Sequence, residues 1–373
     1  MTKFKDILEK ESTIQEFCRS GIYKAVKESM CNTLGDICLS QQNTKLKDLY
    51  HYCSLETFYS IIESNCFWLS HPKFMNDLSE HQYAIGTTNK FLQEYNKTID
   101  ENDASKDLLN LMESNLKKYE EAFVGAADDK YKKLAFFTCF SSDGDSLPMW
   151  SMYKGKNIGL AIGLDFLDEK YFVDSDKDSK NKKMSPFDDK LCCFSNMRYE
   201  EDKIKKEMKI FLDSIRRTYS MAQTQFNTDA EIAKSYLSIE VPFSLINMSL
   251  NLKNNHFHHE KETRMMFFGY KEEDVKFRVR DKFIVPYIEF PRKEVEVEEE
   301  KEVEDESKKK IKVKIKAKVK FNKPIIPIKS ITISPNAEEP ELVKASIWAF
   351  LNHKGYKIDK DKITQSTIPY KPR

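Results

Sequence analysis

The sequence lacks the short motifs by which many enzymes hold nucleotide phosphates or catalytic groups. It contains neither of the two common glycine-rich patterns, G-x-x-x-x-G-K-[ST] and G-x-G-x-x-G. It also lacks the H-E-x-x-H pattern of metalloproteases and the G-x-S-x-G pattern of serine hydrolases. A nucleotide bound by this chain is therefore not held by a common glycine-rich loop.

The sequence also lacks long apolar runs and has almost no net charge. No apolar run approaches the length that spans a membrane, and the N-terminus, Met1 to Glu11, has no apolar core of the signal-peptide type. The net charge is +1, and this balance argues against a dedicated non-specific nucleic-acid binder. We therefore expect a soluble cytoplasmic protein that does not enter a membrane.

The eight cysteines show no C-x-x-C spacing, so neither a zinc module nor a disulfide framework is indicated. We expect most of them to be small buried apolar side chains in a reducing compartment.

Hydrophobic patterns predict a helical lead-in over residues 1–45 and a single α+β domain over residues 46–373. The predicted strands are Leu49–Cys53, Cys66–Ser70, Leu134–Phe140, Ile158–Phe166, Lys276–Arg280, Phe283–Phe290 and Ile328–Ser334. The predicted helices follow Ser54, cover residues 81–130 with a break near 96–103, cover 200–226, begin near 229 with a kink or stop at Pro242, and cover 340–353. This order favours a mixed, largely antiparallel sheet with flanking helices over a doubly wound sheet.

Residues 293–321 have a biased composition. An acidic arm with alternating valines, from Glu294, is followed by a basic arm with alternating isoleucines and valines, from Lys310. Folding back would place opposite charges across from each other, which predicts a long β-hairpin insertion. A disordered charged tail is the alternative interpretation.

The segment from Asn255 to Phe268 concentrates ionisable groups. In an extended strand Glu260, Glu262 and Arg264 share one face, where they can orient a sugar or a phosphate. The alternative is a solvated strand face with a cross-paired arginine. His258 and His259 would point to opposite faces of such a strand, so we predict no metal site.

A resemblance to a known family is carried by motifs that fall in order along the chain. They are Leu49 to Ser54, Leu69 to Asp77 with Glu80, Cys139-Phe140-Ser141, Met149-Trp150-Ser151-x-Tyr153, Gly159 to Phe166, Glu260-x-Glu262-x-Arg264, Ile331 to Pro335, and Ser366-x-Ile368-Pro369-Tyr370. In these motifs the chain resembles an uncharacterised bacterial family, domain of unknown function twenty-nine seventy-one. The lead-in and the charged hairpin look like additions to it.

The pattern of that family in turn looks like the ADP-ribosyltransferase arrangement, and this likeness implies a site for NAD as a substrate. It implies Glu262 as the catalytic acid, base or electrostatic stabiliser, with Glu260 and Arg264 beside it. It implies that NAD is contacted by His51, Tyr52, Ser70, Trp150 and Tyr153. The family commonly has a basic residue where Cys53 stands, so the pyrophosphate would need another cation, such as Lys73 or Arg264.

The resemblance therefore predicts an NAD-dependent effector that modifies a macromolecule or hydrolyses NAD. The kind of family implies a toxin-like role in phage defence or stress. A second hypothesis is a non-catalytic module that binds a nucleotide or a partner, with the 293–321 hairpin as a docking or self-association arm. A third is a metal-dependent nuclease built on Asp165 with the Glu260 to Arg264 cluster, although no lysine follows the acid at the usual spacing.

Overall fold

The computed structural model describes residues 44–75, 78–124, 135–153, 158–174, 183–187, 192–225, 230–268, 270–280, 282–291, 294–304, 310–320 and 325–369. Asn76 and Asp77, at the end of the Leu69 to Asp77 motif, lie outside these ranges. So does the predicted lead-in, apart from a 3-10 turn that begins at Thr44.

The described backbone divides into two compact units. One contains residues within 72–135 and 195–258, and the other contains residues within 40–71, 136–194 and 259–373. The prediction of a single domain after residue 45 stays a prediction, because this division does not test whether either unit folds alone.

The helices largely agree with the sequence pattern. They are α1 Leu55–Ser64, α2 Leu78–Lys97, α3 Lys106–Val124, α4 Leu147–Tyr153, α5 Glu201–Gln225, α6 Ala230–Ser249 and α7 Pro340–His353. The side chain of Ser54 accepts a hydrogen bond from the Thr57 amide and so caps α1, which confirms the predicted helix after Ser54. Pro242 lies inside α6 and does not end it.

The first unit is helical. Apolar side chains of α2, α3, α5 and α6 share one core in which Leu108, Phe211 and Leu245 are completely buried. The predicted polar break falls between α2 and α3, where Arg216 of α5 donates to Asp103 over 2.6 Å. The apolar stripes of these helices therefore meet one another, as their spacing predicts.

The second unit is built on a ten-stranded, mostly antiparallel sheet, so the chain has a mixed α+β fold. Its strands are β1 Leu49–Ser54, β2 Phe67–Ser70, β3 Phe136–Ser141, β4 Gly159–Leu164, β7 Cys192–Asn196, β8 Glu262–Phe267, β9 Lys276–Arg280, β10 Phe283–Phe290, β13 Ile328–Ile333 and β14 Ile363–Gln365. The order is β14-β13-β4-β1-β3-β2-β10-β9, and β8 pairs with β3 and β7. A separate short ladder joins β5 Val173–Asp174 to β6 Lys183–Met184.

The sheet branches at β3. One edge of β3 pairs with β8 along its whole length, whereas the other edge pairs with β1 at Ser141 and with β2 at Phe137. Side chains opposite each other in a ladder point to the same face of a sheet. Tyr50, Ser141 and Glu262 therefore share one face, which we call the site face.

Two further strands pair outside this sheet. In β11 Glu294–Glu304 and β12 Lys310–Lys320, glutamates stand opposite lysines, as in the pairs of Glu294 with Lys320 and Glu304 with Lys310. Cross-strand pairs of opposite charge stabilise such a ladder. That this ribbon is an insertion and a docking arm stays a prediction.

None of the helices in the described ranges is long and apolar enough to cross a membrane.

Candidate functional site

The strand that carries the predicted carboxylates begins later than the sequence pattern indicates. Asn255 to Glu260 form a 3-10 helix, and β8 begins at Glu262. Lys261 between them has a left-handed backbone with a φ of 46°. The prediction that Glu260, Glu262 and Arg264 alternate along one strand is therefore wrong for Glu260.

Contacts with the end of β3 explain this late start. The hydroxyl of Ser141 donates to the Glu260 carbonyl over 2.7 Å, and the Ser142 amide donates to the Lys261 carbonyl over 3.1 Å. Lys261 also forms an ion pair of 2.9 Å with Asp143. These bonds tie the turn to the loop after β3 and leave Glu262 as the first residue of the ladder.

Glu262 and Arg264 form a buried ion pair on the site face. The Arg264 Nε donates to the Glu262 Oε1 over 2.6 Å, and the two side chains are 2% and 3% exposed respectively. The guanidinium lies 4.4 Å from the ring centre of Phe137. A charge-assisted bond of this length in a dry environment fixes the direction of the carboxylate.

Tyr52 and Trp150 lie together beside the loop that follows β3. Their ring centres are 4.8 Å apart, in an edge-to-face arrangement. The Tyr52 hydroxyl donates to the Asp143 carbonyl and accepts from the Ser146 amide, while burial raises the pKa of that phenol. Both side chains are buried, so in this conformation they hold the loop and present no open stacking surface.

The indole nitrogen of Trp150 makes a second link to this loop. It donates to the Asp145 carboxylate over 2.7 Å, and the same oxygen accepts from the Ser366 hydroxyl over 2.6 Å. Ile368 and Tyr153 pack on the cluster around Trp150. Residues 366 to 368 therefore pack against the cluster around Trp150.

Tyr50 occupies the site face between two glycines. A Cβ atom built on Gly144 would lie 2.6 Å and 2.7 Å from two carbons of the Tyr50 ring. One built on Gly163 would lie 3.2 Å from the same ring and would also collide with the Ser330 hydroxyl. The glycines thus admit a side chain of the protein itself.

Gly144→Ala is expected to lower the free energy of unfolding by about 1–3 kcal/mol, because the added methyl group meets a rigid ring. Urea unfolding of the single variant and of the Tyr50→Ala/Gly144→Ala pair measures this effect. The methyl group should cost much less when the ring is absent. An equal cost in both backgrounds would contradict the contact.

His51 lies on the opposite face of the sheet. Its imidazole packs against Phe67 and Phe140, with ring centres 5.5 Å and 5.7 Å away, and its Nδ1 bonds the Cys139 carbonyl over 3.0 Å. Burial lowers the pKa of this imidazole. The structure therefore does not bring His51 together with Tyr52 and Glu262, because neighbouring residues of one strand point to opposite faces.

The depressed pKa of His51 predicts a stability loss in acid. The unfolded chain takes up this proton below about pH 6.5, before the folded protein does, so stability present at neutral pH falls as the pH drops below that value. Urea unfolding at about pH 7.5 and about pH 5.5 should show a smaller difference for His51→Gln than for the parent protein. An unchanged difference would contradict this role.

Ser70 lies on the site face together with two residues that sequence reasoning missed. Its hydroxyl accepts a hydrogen bond of 3.0 Å from Arg278, and Arg278 in turn lies over the Trp68 ring. The alternation Lys276-Phe277-Arg278-Val279-Arg280 was the available signal, since it places three cations on one strand face. Lys73, the other predicted pyrophosphate partner, belongs to the helical unit.

Within the described ranges, no group of three or more histidine, cysteine, aspartate or glutamate side chains is arranged to hold a metal ion. His256, His258 and His259 lie in the 3-10 turn before β8 and not in a strand. The cysteines in the described ranges form no disulfide bond with one another, and burial raises the pKa of the Cys53 thiol.

Comparison with known protein families gives a match to part of the chain. The sequence profile of a family described as "Protein of unknown function (DUF2971)" matches residues 149–265. This span includes Trp150 and the Glu260-x-Glu262-x-Arg264 motif. No curated protein and no solved structure matches the chain. Over residues 149–265 the chain is therefore similar to the DUF2971 proteins, as its motifs predict.

Proposed function

We propose that this chain is an NAD-consuming enzyme of the ADP-ribosyltransferase class, with Glu262 as its central carboxylate. The observation that carries the proposal is the buried Glu262–Arg264 pair at 2.6 Å on a face that also bears tyrosine and serine side chains. A buried carboxylate costs free energy to keep ionised unless a cation pairs with it. A buried, paired carboxylate such as that of Glu262 is therefore a candidate catalytic group.

The reaction would need a negative charge at this position. When the bond between ribose C1′ and the nicotinamide nitrogen breaks, its electron pair leaves with nicotinamide and the ribose carbon becomes cationic. A carboxylate fixed beside that carbon stabilises the cation until an oxygen of water or of a macromolecular acceptor attacks it. Arg264 would act as a positioning residue, since its bond fixes the direction of the Glu262 carboxylate.

The burial of this pair places a condition on the proposal. The Glu262 side chain is 3% exposed, so NAD reaches it only when a neighbouring segment moves. The turn at Lys261 is a candidate for that movement, because a left-handed backbone at a non-glycine residue is a strained conformation.

A second candidate function, a non-catalytic module that binds a nucleotide, is favoured by a different observation. Tyr52 and Trp150 are buried and hydrogen-bonded within the protein, which suits a scaffold as well as a substrate site. In that case Glu262 stabilises the fold and the ligand binds elsewhere on the site face.

Nicotinamide release from NAD separates these two functions. The parent protein is expected to release nicotinamide, and the Glu262→Gln and Glu262→Gln/Arg264→Met proteins are expected to lose that activity. The double variant removes both charges of the pair. It therefore tests the need for the carboxylate without leaving a buried arginine that has lost its carboxylate partner. Glu63→Gln, which alters an ion pair with Lys354 on the protein surface, is the control that should stay active. Nicotinamide release at the parent rate by a folded double variant would contradict the catalytic role of Glu262.

The β11–β12 ribbon is proposed to dock a partner or a second copy of the chain, because its two arms carry complementary charge. Deleting residues 293–321 should then abolish assembly on size exclusion while nicotinamide release persists. Unchanged assembly would contradict this role.

Modification of a macromolecule and a part in phage defence stay predictions. If a chelator of divalent metal ions abolished the activity of the protein, that result would instead favour the nuclease alternative.

A further inference from the structure

Arg278 is held on the site face by two aromatic rings and a serine. Its guanidinium carbon lies 5.1 Å from the ring centre of Trp68 and 5.6 Å from that of Tyr287. One terminal nitrogen donates to the Ser70 hydroxyl over 3.0 Å. Stacking on aromatic faces leaves the edge of a guanidinium available for further acceptors.

This arginine differs from the other well-packed arginines of the chain. Arg198, Arg216 and Arg264 each contact a carboxylate, as the pairs with Glu207, Asp103 and Glu262 show. Arg278, in contrast, has no carboxylate partner among the residues that the structure describes. Burial and the charge of Arg280 both lower the pKa of Arg278.

Two hydrogen-bond donors in this cluster, one of them on the guanidinium itself, also lack acceptors. In the described part of the chain, the Nε of Arg278 and the indole Nε1 of Trp68 are buried without a hydrogen-bond partner. Buried donors in native proteins are nearly always paired, so an acceptor such as a ligand or ordered water is expected at this position. The nearby carboxylate of Glu289 does not fill this need, because it pairs with Lys276 over 2.9 Å.

We propose that Arg278, Ser70 and Trp68 form a binding subsite for a phosphate group. A guanidinium offers paired donors that match the oxygens of a phosphate, and Arg280 adds a second positive charge on the same face. The positive charges of Arg278 and Arg280 together match a ligand with two phosphate groups, such as the pyrophosphate of a dinucleotide, better than a ligand with a single carboxylate.

The subsite is continuous with the proposed reaction centre. Ser70 stands opposite Phe137 in the β2–β3 pairing, and the Phe137 ring contacts the guanidinium of Arg264. A ligand lying across β3 on this face would therefore extend from Arg278 towards Glu262. That placement of NAD rests on the proposed function, whereas the binding of phosphate does not.

Calorimetric titration of the full chain with inorganic pyrophosphate, at low salt, tests the subsite. The parent protein is expected to bind, and Arg278→Gln should weaken binding by roughly tenfold to a hundredfold, as loss of a charge-assisted hydrogen bond predicts. Ser70→Ala should give a smaller loss and provides a second test if Arg278→Gln does not fold. Arg217→Gln, on the exposed side of α5, is the matched control and should bind as the parent does.

The outcomes separate this subsite from the proposed enzyme. Pyrophosphate binding that depends on Arg278, without nicotinamide release, would support the subsite and contradict the enzyme. Nicotinamide release that is unaffected by Arg278→Gln, with no pyrophosphate binding, would overturn the subsite and leave the enzyme standing. Equal binding by the parent and the folded Arg278→Gln protein would also overturn it.

Discussion

Glu262→Gln is expected to lower the free energy of unfolding of the sheet unit by about 3–5 kcal/mol. The substitution removes the carboxylate that accepts from the Arg264 Nε and leaves behind a guanidinium that is 2% exposed. A buried charge that loses its carboxylate costs far more than the ion pair itself contributes, because water cannot reach the charge.

The double variant separates this cause from general damage. Glu262→Gln/Arg264→Met should recover most of the lost free energy of unfolding, since it replaces the buried guanidinium with an apolar side chain of similar length. Glu289→Gln, in a more exposed pair with Lys276, should change the stability little. Tryptophan fluorescence during urea unfolding reports this unit directly, because Trp68, Trp150 and Trp348 all belong to it. A double variant no more stable than the single variant would contradict this explanation.

Trp150→Ala is the second change with a large expected effect, a loss of about 3–5 kcal/mol in the free energy of unfolding. The indole is completely buried, contacts the Tyr52 ring and donates to Asp145. Its removal leaves a cavity and releases one of the bonds that hold the loop after β3. We therefore also expect the Lys261–Asp143 side of the site to become more mobile.

A matched substitution and a conservative one complete this test. Trp348→Ala removes an indole that is 38% exposed and should cost clearly less. Trp150→Phe keeps most of the apolar volume, so it should isolate the loss of the bond to Asp145. Equal losses for Trp150→Ala and Trp348→Ala would show that the cluster around Trp150 does not support the fold.

The elements that the sequence predicts well are those whose pattern has one physical interpretation. Gly159–Leu164 is apolar on both faces and becomes a strand buried along its whole length. The break between α2 and α3 and the cap at Ser54 follow from local chemistry that tertiary contacts do not override.

The site was less predictable because its geometry depends on distant contacts. The strand start at Glu262 is set by Ser141, which lies more than a hundred residues away in the chain. Ser70 and Arg278 are separated by 208 positions, so no local pattern joins them. The resemblance assigns both His51 and Tyr52 to one site, although adjacent strand residues face opposite sides of a sheet.

Hydrogen exchange in the presence of a non-hydrolysable carbocyclic analogue of NAD tests most directly whether the site face binds the dinucleotide. We predict added protection in peptides that cover β3 and the following loop, the turn at Lys261 with β8, and β9. Peptides from α3 and α6 of the helical unit should exchange unchanged. Absence of protection in the sheet strands under saturating analogue, or protection confined to the helical unit, would contradict the placement of the site.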